Sequence, residues 1–342
     1  MMRRYLVGSL ALGLLACNAD QEFAEGIPSA EQVSIKVPAS GGQQAQKSVD
    51  GLGEARGALV GATSELYQIT YGVSATVNGG TVLLLGALRL VTLQTPTSRT
   101  ADSRTWGPYP AGGLDPLTYR LVVRKLGELH FGFSLDASSR LAADPSAFLP
   151  LIDGEITKGL RAGTAQGTMT LHFDNRRVLV PEACEEGTLA FQFDDTGDAA
   201  VNDVTLHDFA NANAKNVLCK QEKPIEAAYH YAQDAAGAGE FVFSVTKDMV
   251  QPLGQAAAVD ENVTLRSRWQ ASGAGRSDVL VSGGDVDAAL AAHGLVGPAT
   301  ASQCWDTRYQ TQYETSSPAE LEIMGTSGAA SACVFTSAEL PQ

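Results

Sequence analysis

From Trp106 onward the chain alternates apolar and polar residues with a period of two, and that alternation restricts it to sheet. Leu129, Phe131, Phe133 and Leu135 share one parity, as do Met169, Leu171 and Phe173; Leu189, Phe191 and Phe193; Phe241, Phe243 and Val245; Val263, Leu265 and Trp269; and Val279 and Val281. Successive side chains of a strand point to opposite faces, so each run predicts an antiparallel strand with one buried and one wet face. Turn chemistry separates the runs, at Lys125-Leu126-Gly127-Glu128, Asp194 to Asp198, Asp234-Ala235-Ala236-Gly237 and Ala271 to Gly275. Connections this short make hairpins. A Gly-rich turn followed at once by a strand occurs at Gly163 to Gly167, Gly237-Ala238-Gly239 and Gly273-Ala274-Gly275, where glycine supplies a positive φ at the reversal. The runs predict a mainly β fold, a large antiparallel meander of about ten to twelve strands that curls into a curved sheet or incomplete barrel.

Ahead of the strands the period changes. Leu52, Leu59, Leu66, Ile69, Val73 and Val77 recur at helical steps, followed by Val82, Leu85, Leu88 and Leu93. Tyr67, Ile69, Tyr71, Val73, Ala75 and Val77 also alternate, and Asn78-Gly79-Gly80 suits a hairpin turn, so helix and hairpin both remain open for residues 64–93. The preferred reading is two helices broken near Gly79-Gly80. The second carries only Arg89 as a charge, which predicts burial as a helix against the concave side of the sheet, where it fills the space a ligand needs. Its rival, a membrane span, meets interruptions at Gly86 and Arg89.

The start of the chain is a separate unit. Met1 to Tyr5 carries Arg3 and Arg4, Leu6 to Ala16 is apolar or small, and Leu14-Leu15-Ala16 precedes Cys17. The apolar run, about 11 residues, is short of the roughly 20 needed to cross a bilayer. These residues resemble the signal peptide and lipobox of bacterial lipoprotein precursors. The resemblance implies cleavage after Ala16, a diacylglyceryl thioether on Cys17 and acylation of its new amino group; Asn18 in place of aspartate then implies the outer membrane. Residues 1–16 are the expected signal peptide, 17–50 a lipidated cysteine with a flexible tether rich in Gln, Ala, Ser and Gly, and 51–342 a single β-rich domain with helices at its start. In architecture the domain resembles the unclosed barrels of periplasmic lipoprotein carriers. The stretch from Val263 to Trp269, then Gly273 to Val279, then Cys304-Trp305-Asp306 resembles a pattern in uncharacterised bacterial lipoproteins and implies no activity.

Of 342 residues, 326 follow the signal, enough for a sizeable core, and they carry 22 basic against 38 acidic side chains, a net charge of −16. Such acidity opposes nucleic acid and anionic headgroups. Cys184, Cys219, Cys304 and Cys333 make an even set in an exported chain. Three pairings are possible, and joining sequence neighbours, Cys184 to Cys219 and Cys304 to Cys333, is preferred. None forms a Cys-x-x-Cys and no histidine lies within four residues, which argues against zinc.

Chemistry is sparse. There is no Gly-x-Ser-x-Gly elbow and no His-Glu-x-x-His, and Gly325-Thr326-Ser327-Gly328 has the wrong spacing for a nucleophile. His130, His172, His207, His230 and His293 are scattered, with His172 on the outer face of its strand. Asp194, Asp195, Asp198, Asn202 and Asp203 form the densest oxygen cluster, read as an Asp-rich turn capping its own backbone rather than a calcium loop or a glycosidase pair. Arg266, Arg268 and Arg276 beside Trp269 suit either a phosphate or headgroup site or ion pairs with aspartates on neighbouring strands, and the second is preferred. The expectation is a membrane-anchored envelope protein without catalytic activity, metal or cofactor, serving a structural or interaction role with an envelope partner. The alternative is a carrier of lipid or another apolar ligand in the sheet's concavity.

Overall fold

The computed structural model describes residues 20–39, 60–110, 112, 116–141, 144, 146–220, 222–248, 259–319 and 325–340. The alternation becomes a single antiparallel sheet of 15 strands in strict chain order, not closed into a barrel. The strands are β1 (Ser98–Arg99), β2 (Ser103–Pro110), β3 (Leu117–Lys125), β4 (His130–Ser139), β5 (Leu149–Lys158), β6 (Ala165–His172), β7 (Glu185–Asp194), β8 (Ala199–Asn211), β9 (Ile225–Asp234), β10 (Gly239–Lys247), β11 (Glu261–Trp269), β12 (Gly275–Gly283), β13 (Ala299–Trp305), β14 (Thr311–Ser317) and β15 (Ser327–Gly328). The helices are α1 (Ala30–Val33), α2 (Glu65–Thr92), α3 (Phe173–Leu179) and α4 (Gly284–Ala292). The meander is wider than the ten to twelve strands expected, partly because two-residue strands at each edge carry no readable alternation. Phe173 belongs to α3 and not to the strand of Met169 and Leu171.

Contacts group the chain into two compact units, residues 1–33, 81–196 and 208–224 in the first, and 34–80, 197–207 and 225–342 in the second. In the second, Tyr67 stacks on Tyr309 at 4.4 Å and leans on Trp305 at 5.4 Å between ring centres. In the first, Phe23 meets Phe131 edge to face at 5.9 Å, and Ile27, Leu85 and Trp106 are wholly buried.

The Gly-rich turns have a packing reason as well as a conformational one. Gly163, Gly237 and Gly273 take φ of +84°, +96° and +88°. Gly239 and Gly275, two residues after the last two of these, stand opposite Trp269 and Trp305, whose rings occupy the space a Cβ would need. Each indole N–H then donates to the carbonyl of the positive-φ glycine, Trp269 to Gly237 at 3.1 Å and Trp305 to Gly273 at 3.0 Å. Phe193 lies opposite Gly167 and Phe133 opposite Gly154 in the same way. The aromatic ring covers the bare backbone of its partner strand and fixes the register.

Two expectations about the N-terminal part are overturned. Residues 64–93 hold neither a hairpin nor two helices: α2 runs unbroken for 28 residues. Ser64 caps it, its hydroxyl accepting from Tyr67 N–H, and Asn78 makes no turn because its side chain brackets Ile35, accepting from the Ile35 N–H at 2.8 Å and donating to the Ile35 carbonyl at 2.7 Å. By length and composition α2 could cross a membrane, yet only 17% of its most apolar window is buried. Leu66, Ile69, Leu85 and Leu88 form the buried stripe, whereas Val82, Leu83, Leu90 and Leu93 face solvent, contrary to the expected burial of the second half.

The flexible tether expected over 17–50 is also wrong where described. Residues 20–24 are helical, Phe23, Ile27, Val33 and Ile35 are at most 3% exposed, and Asp20 pairs with Arg99 and Arg104. Low apolar periodicity here reflects a segment that inserts single side chains into cavities of the core rather than presenting a face. Cys17 and residues 40–59 lie outside the described residues.

Candidate functional site

The β11–β12 hairpin carries the three arginines. Its register sets Arg268 directly opposite Arg276, with Arg266 opposite Asp278, and two like charges facing each other need a counterion. Asp278, wholly buried, supplies it. One oxygen accepts from Arg276 Nε at 2.8 Å and Ser302 Oγ at 2.7 Å; the other accepts from Arg268 Nη2 at 3.3 Å and the Glu339 N–H at 3.2 Å.

The C-terminal segment closes over this cluster. Arg276 Nη1 donates to the carbonyls of Phe335 and Thr336, both at 3.2 Å, and Arg268 Nη2 to that of Ser337 at 3.0 Å. The Glu339 carboxylate takes Arg268 at 2.5 Å and Arg266 at 3.0 Å, while Arg266 also holds Glu240 at 2.8 Å. Arg268 and Arg276 are 8% and 3% exposed, so an anion would have to displace residues 335–339 to reach them. The expected ion pairs to neighbouring strands are present as Arg266–Glu240 and Arg268–Asp278, and Arg276 adds a bond within its own strand. Sequence reasoning missed Asp278 and Glu339. The signal for Asp278 was there, because a hairpin closing at residues 271–275 brings Arg268 and Arg276 face to face.

On the other side of the same strands, Thr70 of α2 bonds Ser267 at 2.6 Å, and Ser267 bonds Ser277 at 2.5 Å. Gln303 accepts from Ser64 Oγ at 2.8 Å and the Leu66 N–H at 3.0 Å, joining the helix start to β13.

Both expected disulfides are formed, Cys184 to Cys219 and Cys304 to Cys333. None of the four sulfurs is therefore a thiolate ligand. The aspartate cluster is divided: Asp194 caps its own turn, accepting from the N–H and hydroxyl of Thr196, Asp195 accepts from the N–H of Ala165 on β6, and Asn202 and Asp203 lie in β8, where Asp203 pairs with His230. No family model, curated protein or solved structure matches the chain. The geometry has to carry the functional argument.

What remains accessible is the outer face of the sheet. Four of the five histidines pair there with a carboxylate on an adjacent strand: His130 with Glu155 at 2.9 Å, His172 with Asp153 at 2.8 Å, His207 with Glu226 at 3.0 Å and His230 with Asp203 at 2.7 Å. His172 thus occupies the outer position expected for it. In the second unit an open groove of about 580 Å³ crosses β8 to β11, lined by Thr205, Glu226, Ser244, Thr246, Asn262 and Thr264. In the first unit a smaller one of about 330 Å³ lies among His130, Glu155, Gln166, Thr168 and Gln192. Short hydroxyl and amide side chains on alternate positions leave shallow, open furrows that offer hydrogen bonds beside the apolar side chains of Leu206, Val245 and Val263. Furrows this open suit the surface of a folded partner better than an enclosed lipid chain.

Several phenols are perturbed. Burial pushes Tyr231 up to about 12 and Tyr229 higher still; burial, with Tyr309 and Tyr71 adjacent, raises Tyr67. The hydrogen bond from Arg99, opposed by partial burial and joined by the bond from Arg104, holds the Asp20 carboxyl below the usual aspartate value.

Proposed function

We propose that the mature protein is an outer-membrane lipoprotein held through acylated Cys17, non-catalytic, and that it works by presenting the polar outer face of its sheet to an envelope partner. The observation that favours this over carriage is that the chain fills the core of each unit itself. In the second unit Tyr67 stacks on Tyr309 and Thr70 bonds Ser267, and in the first Phe23 packs on Phe131 while Ile27, Leu85 and Leu88 are buried. The grooves that stay open are shallow and carry hydrogen-bonding groups, and the net charge of −16 suits a partner that donates hydrogen bonds or carries positive charge.

The anchor is tested by replacing Cys17 with Ser and fractionating cells, with release from the membrane fraction expected and retention counting against it. The docking face is tested by placing a photo-crosslinking residue at Thr246 or Thr264 in living cells, with Leu160, 98% exposed on a turn, as reference. A discrete adduct at the groove positions and none at Leu160 is the expected result. Equal, diffuse labelling at all three, together with copurifying lipid in the delipidated protein, would favour a carrier.

A further inference from the structure

We infer that the solvent-facing stripe on the last three turns of α2 is a membrane contact, lying on the lipid surface beside the anchor. The inference rests on the lipidation of Cys17. Residues 82–93 read Val-Leu-Leu-Leu-Gly-Ala-Leu-Arg-Leu-Val-Thr-Leu, with Leu85 and Leu88 turned inward. Leu83, Ala87 and Leu90 follow at i, i+4 and i+7 on the opposite side, flanked by Val82, Gly86 and Leu93. Val82, Leu83, Leu90 and Leu93 are 44%, 77%, 65% and 78% exposed. Arg89 is the one charge in this stretch. In a chain otherwise rich in acidic groups, a contiguous apolar helix face left in water marks an interaction site.

The position of the chain's start identifies the occupant. Where α2 ends, the Gln94 carbonyl accepts from Trp106 Nε1 at 2.9 Å. Asp20 is clamped to Arg104, two residues earlier on β2, at 2.6 Å, and to Arg99 on β1 at 2.9 Å. Alternate residues of a strand are about 7 Å apart, so the exit of α2 and Asp20 are held side by side. Cys17 stands three residues before Asp20. Three residues reach at most about 10 Å, too short to lift the domain clear of the bilayer. Acyl chains inserted there bring the headgroup layer to the end of α2, where a tilted apolar helix face can enter the interface as amphipathic helices do. Arg89 at the rim offsets part of the local repulsion an acidic protein would meet at anionic lipid.

The test uses the mature chain 17–342 with Cys17→Ser, and therefore without acyl chains, mixed with vesicles of phosphatidylethanolamine and phosphatidylglycerol. Flotation should show binding, and Leu90→Glu should reduce the partition coefficient by about tenfold or more. Leu160→Glu, more exposed and on the β5–β6 turn outside the stripe, should leave it unchanged, and intact disulfides with unaltered circular dichroism show that both variants fold. Equal binding by the two variants, or none by the parent chain, overturns the inference. So does a concentration-dependent dimer that Leu90→Glu dissolves in the absence of vesicles, which would make a second copy the occupant. The anchor is read separately, from the mass of the Cys17 peptide in cells: an unmodified Cys17 with vesicle binding lost in Leu90→Glu would remove the anchor and leave the surface standing.

Discussion

Asp278→Ala is expected to be among the most damaging single changes outside the aromatic core. Its carboxylate accepts four donors, and two of them belong to arginines that are almost wholly buried. Removing one partner of a buried pair generally costs about 3–5 kcal/mol, because the charge left behind is desolvated and uncompensated. Here the residual charges are not abandoned. Arg268 keeps the Glu339 carboxylate and the Ser337 carbonyl, and Arg276 keeps the carbonyls of Phe335 and Thr336. That places the loss near about 3 kcal/mol, the lower end. Asp278→Asn retains shape and an acceptor but not charge, and should lose about 1.5–3 kcal/mol. The combined change Arg268→Met, Arg276→Met and Asp278→Leu should fall within about 1 kcal/mol of the parent, since a buried ion triad replaced by apolar groups of similar volume is often neutral. Urea unfolding measures all three as a shift of midpoint at constant slope. The reasoning fails if Asp278→Ala loses less than about 1 kcal/mol, or if the combined change is as damaging as the single one.

Gly79→Ala and Gly80→Ala should each raise stability by up to about 1 kcal/mol in thermal unfolding, because both are exposed within a continuous helix and a Cβ meets no neighbour within 4 Å. Gly275→Val should destabilise by more than about 2 kcal/mol, since its side chain would strike the Trp305 ring, and loss of the near-ultraviolet signal of Trp305 would report it. In alkali, Tyr67, Tyr229 and Tyr231 are held neutral by the fold, with folded pKa above the unfolded 10.0, so their stabilisation is complete below pH 10 and is lost as pH rises through the folded value. Their absorbance change should therefore coincide with unfolding rather than precede it. Asp20 has the opposite sign: its lowered pKa adds stability that is present above the unfolded aspartate value of 3.8 and disappears as pH falls through the folded one, and Asp20→Asn should flatten that acid limb in a pH series of midpoints.

The strands were legible because alternation is local. Each run from Phe131 to Val281 reports its own burial without knowledge of its neighbours, and the turns between them declare themselves through glycine. The disulfides were legible because joining sequence neighbours closes two short spans, Cys184 to Cys219 around β7 and β8 and Cys304 to Cys333 around β14 and β15. The continuity of α2 was not, because the evidence against a break is a side chain far away in sequence. Asn78 is held by Ile35, inside a segment whose composition reads as tether. Nor was the closure of the arginine cluster, since nothing around Glu339 distinguishes it from any exposed acid near a chain end. What sequence patterning does not encode is which face of an apolar helix is left over once the core is full.

The strand order has a consequence for how the chain acquires its structure. Every pairing in the sheet joins strands adjacent along the chain, so each hairpin can close over a short loop as it emerges. The helix is different. Thr70 meets Ser267 across 197 residues, and Tyr67 waits for Trp305 and Tyr309. The element made first is thus completed by strands made last, and a chain interrupted before β11 would hold Leu66, Ile69 and Tyr67 with no surface to cover them. Until those strands arrive, the nascent protein depends on something else to shield that helix.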